Sequence, residues 1–259
     1  MHFVIGGLAG SKSTTKYDNL NSNRRLNLIA NNESLVMNMG TSMKRFSIWR
    51  CCFALALLIF LATNLIAAPI RVACVGDSIT YGAAIQDRAA NNYPVVLGRL
   101  LGAEYDVKNF GVNGATLLKN GDKPYWKESA FAAAKNFQPQ VVIIKLGSND
   151  SKPQNWKYKD EFTQNLIDLV QVFKQLESKP QVWICKPAPV AMDRWGITEA
   201  VVKQEVIPAV VAAARRSKGV KLIDIYKVLA PHPEMFPDGV HPNAAGAKLM
   251  AVEVHRYLK

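Results

Sequence analysis

The chain is poor in cysteine and histidine, with four of each in 259 residues. Cys51 and Cys52 sit in an N-terminal apolar run, which leaves only Cys74 and Cys185 for the rest of the protein. That is too few for a disulfide-held scaffold. No Cys, His and carboxylate cluster has the spacing of a metal site, so neither a metal nor a cofactor is implied. Massed charge is missing as well. The net charge of +12 is inflated by the first 68 residues, which hold seven Lys/Arg against two Asp/Glu; the other 191 hold 25 against 18. Apart from Lys152, Lys157 and Lys159 and the pair Arg215-Arg216, the basic residues are scattered, as on a solvated surface. No nucleic-acid-binding module is visible. Repeats, linkers and low-complexity tracts are absent after residue 68, and 49% hydrophobic with 20% charged residues excludes wholesale disorder. One globular domain is the economical reading.

What is present begins with a leader. Met43 to Arg50 is short and basic, Cys51 to Leu61 is apolar, and Ala67-Ala68 supplies small residues, the order of a secretory signal peptide. The competing reading is a retained membrane anchor, because Cys51 to Ala68 is just long enough to span a bilayer behind Lys44, Arg45 and Arg50. Thr63 and Asn64 weaken the far end of the run and a strand pattern starts directly after Ala68, which favours cleavage there. Cys51 and Cys52 stand at the wrong end for lipid attachment. Export signals act from the extreme N-terminus, so residues 1–42, polar and rich in Asn and Ser, are expected to be a non-native or disordered extension, with Met43 as the true start. Gly6 to Ser13 looks like a phosphate loop at a glance, but Ser11 separates Gly10 from Lys12 and no strand and helix flank it. The expected organisation is therefore an extension (1–42), a signal peptide (43–68) and one domain (69–259).

From residue 69 strand-like and helix-like patterns alternate. Strands are expected at 70–75, 105–110, 141–146, 181–185 and 220–224, and helices from Pro94 to Gly102, around 126–136, and over 159–176, 198–217 and 243–258. In 159–176, Phe162, Leu166, Leu169, Val170, Phe173 and Leu176 recur at three and four residues, one apolar stripe against a sheet. Five strands with helical crossovers make a three-layer α/β domain with a parallel sheet. With strand order 2-1-3-4-5 the first and fourth strands are not neighbours, so Cys74 and Cys185 are expected as buried free thiols.

Four segments of chemical interest lie after strands or in a late loop. The first is Gly76-Asp77-Ser78-Ile79-Thr80-Tyr81-Gly82, where a buried strand ends in a tight turn carrying a hydroxyl. Asn109-Phe110-Gly111-Val112-Asn113-Gly114 has glycines that can present backbone N–H groups. Gly147-Ser148-Asn149-Asp150 offers the side-chain amide of Asn149, and Phe236 to Asn243 sets Asp238 and His241 three residues apart before the last helix. Singly, each has a plainer reading as a turn, a helix cap or a packed histidine. Together, in this order and after these strands, they point to one site.

These four blocks resemble those of the SGNH, or GDSL-type, hydrolase superfamily, over about residues 69 to 258. The resemblance implies a flavodoxin-like fold with a five-stranded parallel sheet. It also implies Ser78 as nucleophile, Asp238 and His241 as the rest of a catalytic triad, and Ser78, Gly114 and Asn149 as the oxyanion hole. The Gly-x-Ser-x-Gly pattern of α/β-hydrolases is absent, since Thr80 stands where its last glycine would be. A serine hydroxyl is a poor nucleophile near neutral pH, so His241 would take its proton and Asp238 would fix the imidazole tautomer. His232 lacks an aspartate three residues before it, and His255 lies near a helix end, so both are weaker bases for this role. Asp77 and Asp150 read as loop-ordering residues.

The substrate is less marked. Trp126, Trp156 and Trp195 follow the second, third and fourth strands on the crevice side, where aromatic faces suit sugar rings, although packing of the loops explains them equally well. The long first block also resembles the carbohydrate-esterase branch, which includes sialate and xylan O-acetylesterases. The expected partner is a small-molecule or polysaccharide ester. The alternatives are a lysophospholipase or thioesterase with the same triad, or a non-catalytic carbohydrate-binding module.

Overall fold

The computed structural model describes residues 68–259. The expected extension and signal peptide lie outside the described residues, except for Ala68, which is exposed. Among the described residues no helix is long and apolar enough to cross a membrane.

Five strands, β1 (Ile70–Gly76), β2 (Tyr105–Gly111), β3 (Val141–Lys145), β4 (Gln181–Cys185) and β5 (Lys221–Ile223), form one parallel sheet of order β2-β1-β3-β4-β5. The longer helices are α1 (Tyr93–Leu101), α2 (Ser129–Asn136), α3 (Lys159–Lys174), α4 (Ile207–Arg216) and α5 (Ala244–Leu258). Alternate residues of each strand serve opposite faces. Val72, Cys74, Ile143, Trp183 and Ile223 pack with Leu97 of α1 and Met250 and Val254 of α5. Ala73, Val75, Val142, Ile144 and Ile184 pack with α2, α3 and α4. From α3, Phe162, Leu166, Leu169, Val170 and Phe173 are all at most 2% exposed, and each such burial stabilises the fold by about 1.5–3 kcal/mol. Cys74 and Cys185 are free and buried on non-adjacent strands, and burial pushes the Cys74 thiol up to about 12.

Local chemistry sets the helix starts. Asn92 caps α1 by accepting from the Val95 N–H at 3.2 Å, with Pro94 in the first turn, and Asn243 caps α5 through the Ala245 and Gly246 N–H groups. Three expected elements differ, the first being the helix around 126–136, which is a 3₁₀ turn at Tyr125–Lys127 followed by α2. The helix expected over 198–217 is Glu199–Val201, a π turn at Val202–Val206, and then α4. Pro208 has no N–H to donate and its ring crowds the carbonyl four residues back, so the chain opens one turn and Ile207 N–H reaches Val202 O. The fifth strand stops at Ile223, because Asp224 turns to cap a short helix, Ile225–Leu229, through the Lys227 N–H.

The chain leaves β1 for β2 on one side and returns across β1 to β3 on the other. Open parallel sheets leave a crevice at such a switch point, beyond the carboxyl ends of the strands. The segments after β1, β2 and β3 all end there.

Candidate active site

β1 runs directly into the serine turn. Asp77 caps a one-turn helix, Ser78–Tyr81, by accepting from the Ile79 N–H at 2.9 Å, which sets Ser78 at the strand's end. The turn is clamped from β2, where Asn109 Nδ2 donates to Thr80 O at 2.8 Å. Gly111 permits the close approach, since a Cβ there would lie 2.2 Å from Tyr81 N. The turn is also clamped from β3. Lys145 Nζ lies 3.0 Å from both Asp77 carboxylate oxygens and 3.1 Å from Ser148 Oγ, and the Lys145 and Asp77 side chains are wholly buried. Sequence reasoning assigned Lys145 only to a strand. The available signal was a lone charge closing the apolar run Val141 to Ile144, on the strand next to the one that leads into Asp77.

The late loop meets this turn. Asp238 Oδ1 accepts from the Val240 and His241 N–H groups at 2.9 and 2.8 Å, and its Oδ2 lies 2.8 Å from His241 Nδ1. Burial pushes the Asp238 carboxyl up, but the backbone bonds from His241 and Val240 and the imidazole outweigh it, so the group stays below its ordinary range. An Nδ1–H donated to Asp238 leaves the Nε2 lone pair free to accept from the Ser78 hydroxyl, 2.8 Å away. Such a chain can move a proton from serine to imidazole as the oxygen attacks. His232 pairs instead with Glu234, and His255 lies in the last turns of α5; neither lines the cavity beside Ser78.

Two further loops bring Gly114 and Asn149 to the same cavity. Gly114 has φ +78°, a left-handed conformation that favours glycine, in a turn held by Ala115 N–H to Val112 O and Val112 N–H to Gly76 O. Asn149 follows β3, and its amide donates to Ala115 O at 3.1 Å, which leaves its second N–H for another acceptor. The next residue ties the two loops together. Asp150 accepts from the Leu118 and Leu117 N–H groups at 2.7 and 3.0 Å while wholly buried. Burial pushes its carboxyl up to about 7; the two backbone bonds work against that rise and the charge of Asp77 adds to it. Asp77 and Asp150 both order loops, as expected from the sequence.

Ser78, Gly114, Asn149 and His241 line an open cavity of about 300 Å³, together with Ala83, Asn113, Lys152, Trp195 and Ile197. Asp238 stands behind His241. Of the three tryptophans expected on the crevice side, Trp195 alone lines this cavity. Trp126 donates its indole N–H to Leu117 O and packs on Phe131, and Trp156 is 8% exposed with its N–H on Glu205, so these two serve the loops and core. Among the described residues no group of three His, Cys, Asp or Glu side chains is arranged to hold a metal ion.

Residues 74–249 match the GDSL-like lipase/acylhydrolase family. An acetylxylan esterase from Xylanibacter ruminicola is 42% identical over 200 residues, covering 70% of this chain and 42% of that protein. A multidomain esterase from Ruminococcus flavefaciens is 24% identical over 268 residues, covering 85% of this chain and 34% of that protein. The chain thus spans less than half the length of these curated relatives. Among solved structures, a carbohydrate acetylesterase from Sinorhizobium meliloti superposes with a TM-score of 0.60 at 19% identity, covering 73% of this chain and 98% of that one, a likeness of fold. With the family match spanning β2 to β5 whole and the end of β1, the chain belongs to the GDSL-like lipase/acylhydrolase family, a family of carboxylic ester hydrolases.

Proposed function

We propose that this protein is a serine esterase that removes acetyl groups from carbohydrates. The observation that carries the reading is the continuous contact from Ser78 Oγ through His241 to Asp238, 2.8 Å at each step. A non-catalytic binding module has no need of that contact. The acetyl and carbohydrate parts of the reading draw on the resemblance to acetylxylan esterase, and the modest cavity beside Ser78 suits a short acyl group.

In this mechanism Ser78 Oγ attacks the ester carbonyl while His241 Nε2 takes the hydroxyl proton, and Asp238 stabilises the imidazolium. The developing oxyanion is received by the Ser78 and Gly114 backbone N–H groups and the Asn149 amide, each worth about 3 kcal/mol in the transition state. His241 returns the proton to the departing alcohol. Water then attacks the acyl-enzyme along the same path in reverse, releasing acetate and restoring Ser78.

Hydrolysis of p-nitrophenyl acetate, butyrate and octanoate, beside release of acetate from acetylated xylan, tests the proposal. It expects rates that fall steeply with acyl length, and acetate from the polysaccharide. Preference for octanoate would instead favour a lysophospholipase or thioesterase. We further propose export by the segment 43–68, supported by its order of basic, apolar and small residues; intact mass of protein recovered from the host's medium tests it, with a start at or near Pro69 expected.

A further inference from the structure

Trp195 occupies a position that neither its backbone nor the core requires. Arg194 and Ile197 exchange both backbone hydrogen bonds, at 3.0 and 2.8 Å, around a two-residue turn of Trp195 and Gly196. Both central residues have positive φ, +54° for Trp195 and +78° for Gly196, the signature of a type I′ turn. Asn, Asp and Gly suit that first position, whereas a bulky side chain there is strained. Burial does not compensate, because Trp195 is 53% exposed. A strained residue kept against local preference is a reason to look for a function.

The surroundings supply one. The indole lies against the His241 imidazole, ring centroids 5.6 Å apart and tilted by 50°, and it lines the cavity beside Ser78. The turn carrying it is fixed to the histidine loop. Ala191 and Met192 N–H groups both donate to Gly239 O, at 2.8 and 3.2 Å, and Ile197 is buried against Val190, Val202 and Val240. Trp195 is therefore held in a set position relative to His241.

His241 is the group that hands a proton to the departing alcohol, so an aromatic ring against it borders the alcohol half of the ester rather than the acyl half. We infer that Trp195 is a platform for the sugar ring that bears the acetyl group, packing on the ring's C–H face while the hydroxyls stay in water. This inference rests on the carbohydrate reading above and adds which residue selects the alcohol. It makes Trp195 a specificity residue whose loss alters selection among alcohols and leaves the ranking of acyl chains alone.

The test uses the full chain, wild type and Trp195→Asn, with Trp195→Tyr as a conservative partner. Acetate release is compared on acetylated xylo-oligosaccharide and on triacetin, and the acetate-to-butyrate ratio is taken with p-nitrophenyl esters. We expect Trp195→Asn to lose at least about tenfold more kcat/KM on the sugar than on triacetin, mainly through KM, with Trp195→Tyr recovering much of the loss and the acyl ratio moving less than about twofold. Relief of turn strain should also raise the melting temperature of the Asn variant by about 2–4 °C. Equal losses on sugar and triacetin, a shifted acyl ratio, or a fall in melting temperature would each overturn the platform. So would loss of a wild-type dimer in the variant, which would make Trp195 an interface residue. Wild-type protein that cleaves p-nitrophenyl acetate and triacetin but no acetylated sugar would overturn the carbohydrate reading itself and the platform with it, an outcome distinct from a normal wild type with an indifferent variant.

Discussion

Lys145 and Asp77 form an ion pair 3.0 Å long in which neither side chain is exposed to solvent. The pair joins the end of β3 to the turn that carries Ser78, and Lys145 also reaches Ser148, the residue before Asn149. Two buried charges are tolerable only when each answers the other and the remaining hydrogen bonds are made. Here Asp77 also takes the Ile79 N–H, so the Ser78 turn and the Asn149 turn share one electrostatic anchor.

Lys145→Met should therefore destabilise the protein by about 3–5 kcal/mol, because it strands the Asp77 carboxylate in the core. The double variant Lys145→Met/Asp77→Asn should recover part of that loss, since the charge left behind is gone. Urea unfolding of the two variants checks this. A single substitution costing under about 1 kcal/mol contradicts the anchor.

Asp150 makes a prediction about pH. Its carboxyl rises from an ordinary 3.8 to about 7 in the folded protein, so between these values the native state holds a proton that the unfolded chain has released. The stability this contributes is complete below the unfolded value and is lost as pH rises through about 7. In Asp150→Asn that slope disappears, and one of the Leu117 and Leu118 N–H groups loses its acceptor at a cost of about 1–3 kcal/mol. The stability of wild type relative to the variant should fall from pH 4 to pH 7.5; a flat difference would contradict the assignment.

Asn149→Ala tests the proposed role of Asn149 as the third oxyanion donor. Turnover should drop by about two to three orders of magnitude with the circular dichroism spectrum and melting cooperativity retained. A loss under about threefold removes Asn149 from the role.

Much of this was legible in the residues themselves. The apolar runs around Val72, Ile143 and Ile184 gave strands because both faces of a parallel sheet are buried, and Asp238 and His241 could be paired because three residues on one loop fix their separation. Other features were hidden for physical reasons. Lys145 looks like any surface lysine until β1 and β3 are set side by side, since its partner is 68 residues away. The tryptophans could not be sorted by sequence position, because whether an indole meets the cavity or the core depends on where its loop folds back; Trp126 and Trp156 hydrogen-bond Leu117 O and Glu205 away from the cavity, and Trp195 lines it. The π turn before α4 is written in Pro208, but only once the helix is known to run through it.

Labelling by a fluorophosphonate probe, followed by peptide mass spectrometry, tests the central claim most directly, because the adduct forms only on a nucleophile activated in place. A single adduct is predicted on the peptide containing Ser78, absent in Ser78→Ala and slowed at least about a hundredfold in His241→Ala. An adduct on another residue, or equal labelling with and without His241, would contradict Ser78 and His241 as nucleophile and base.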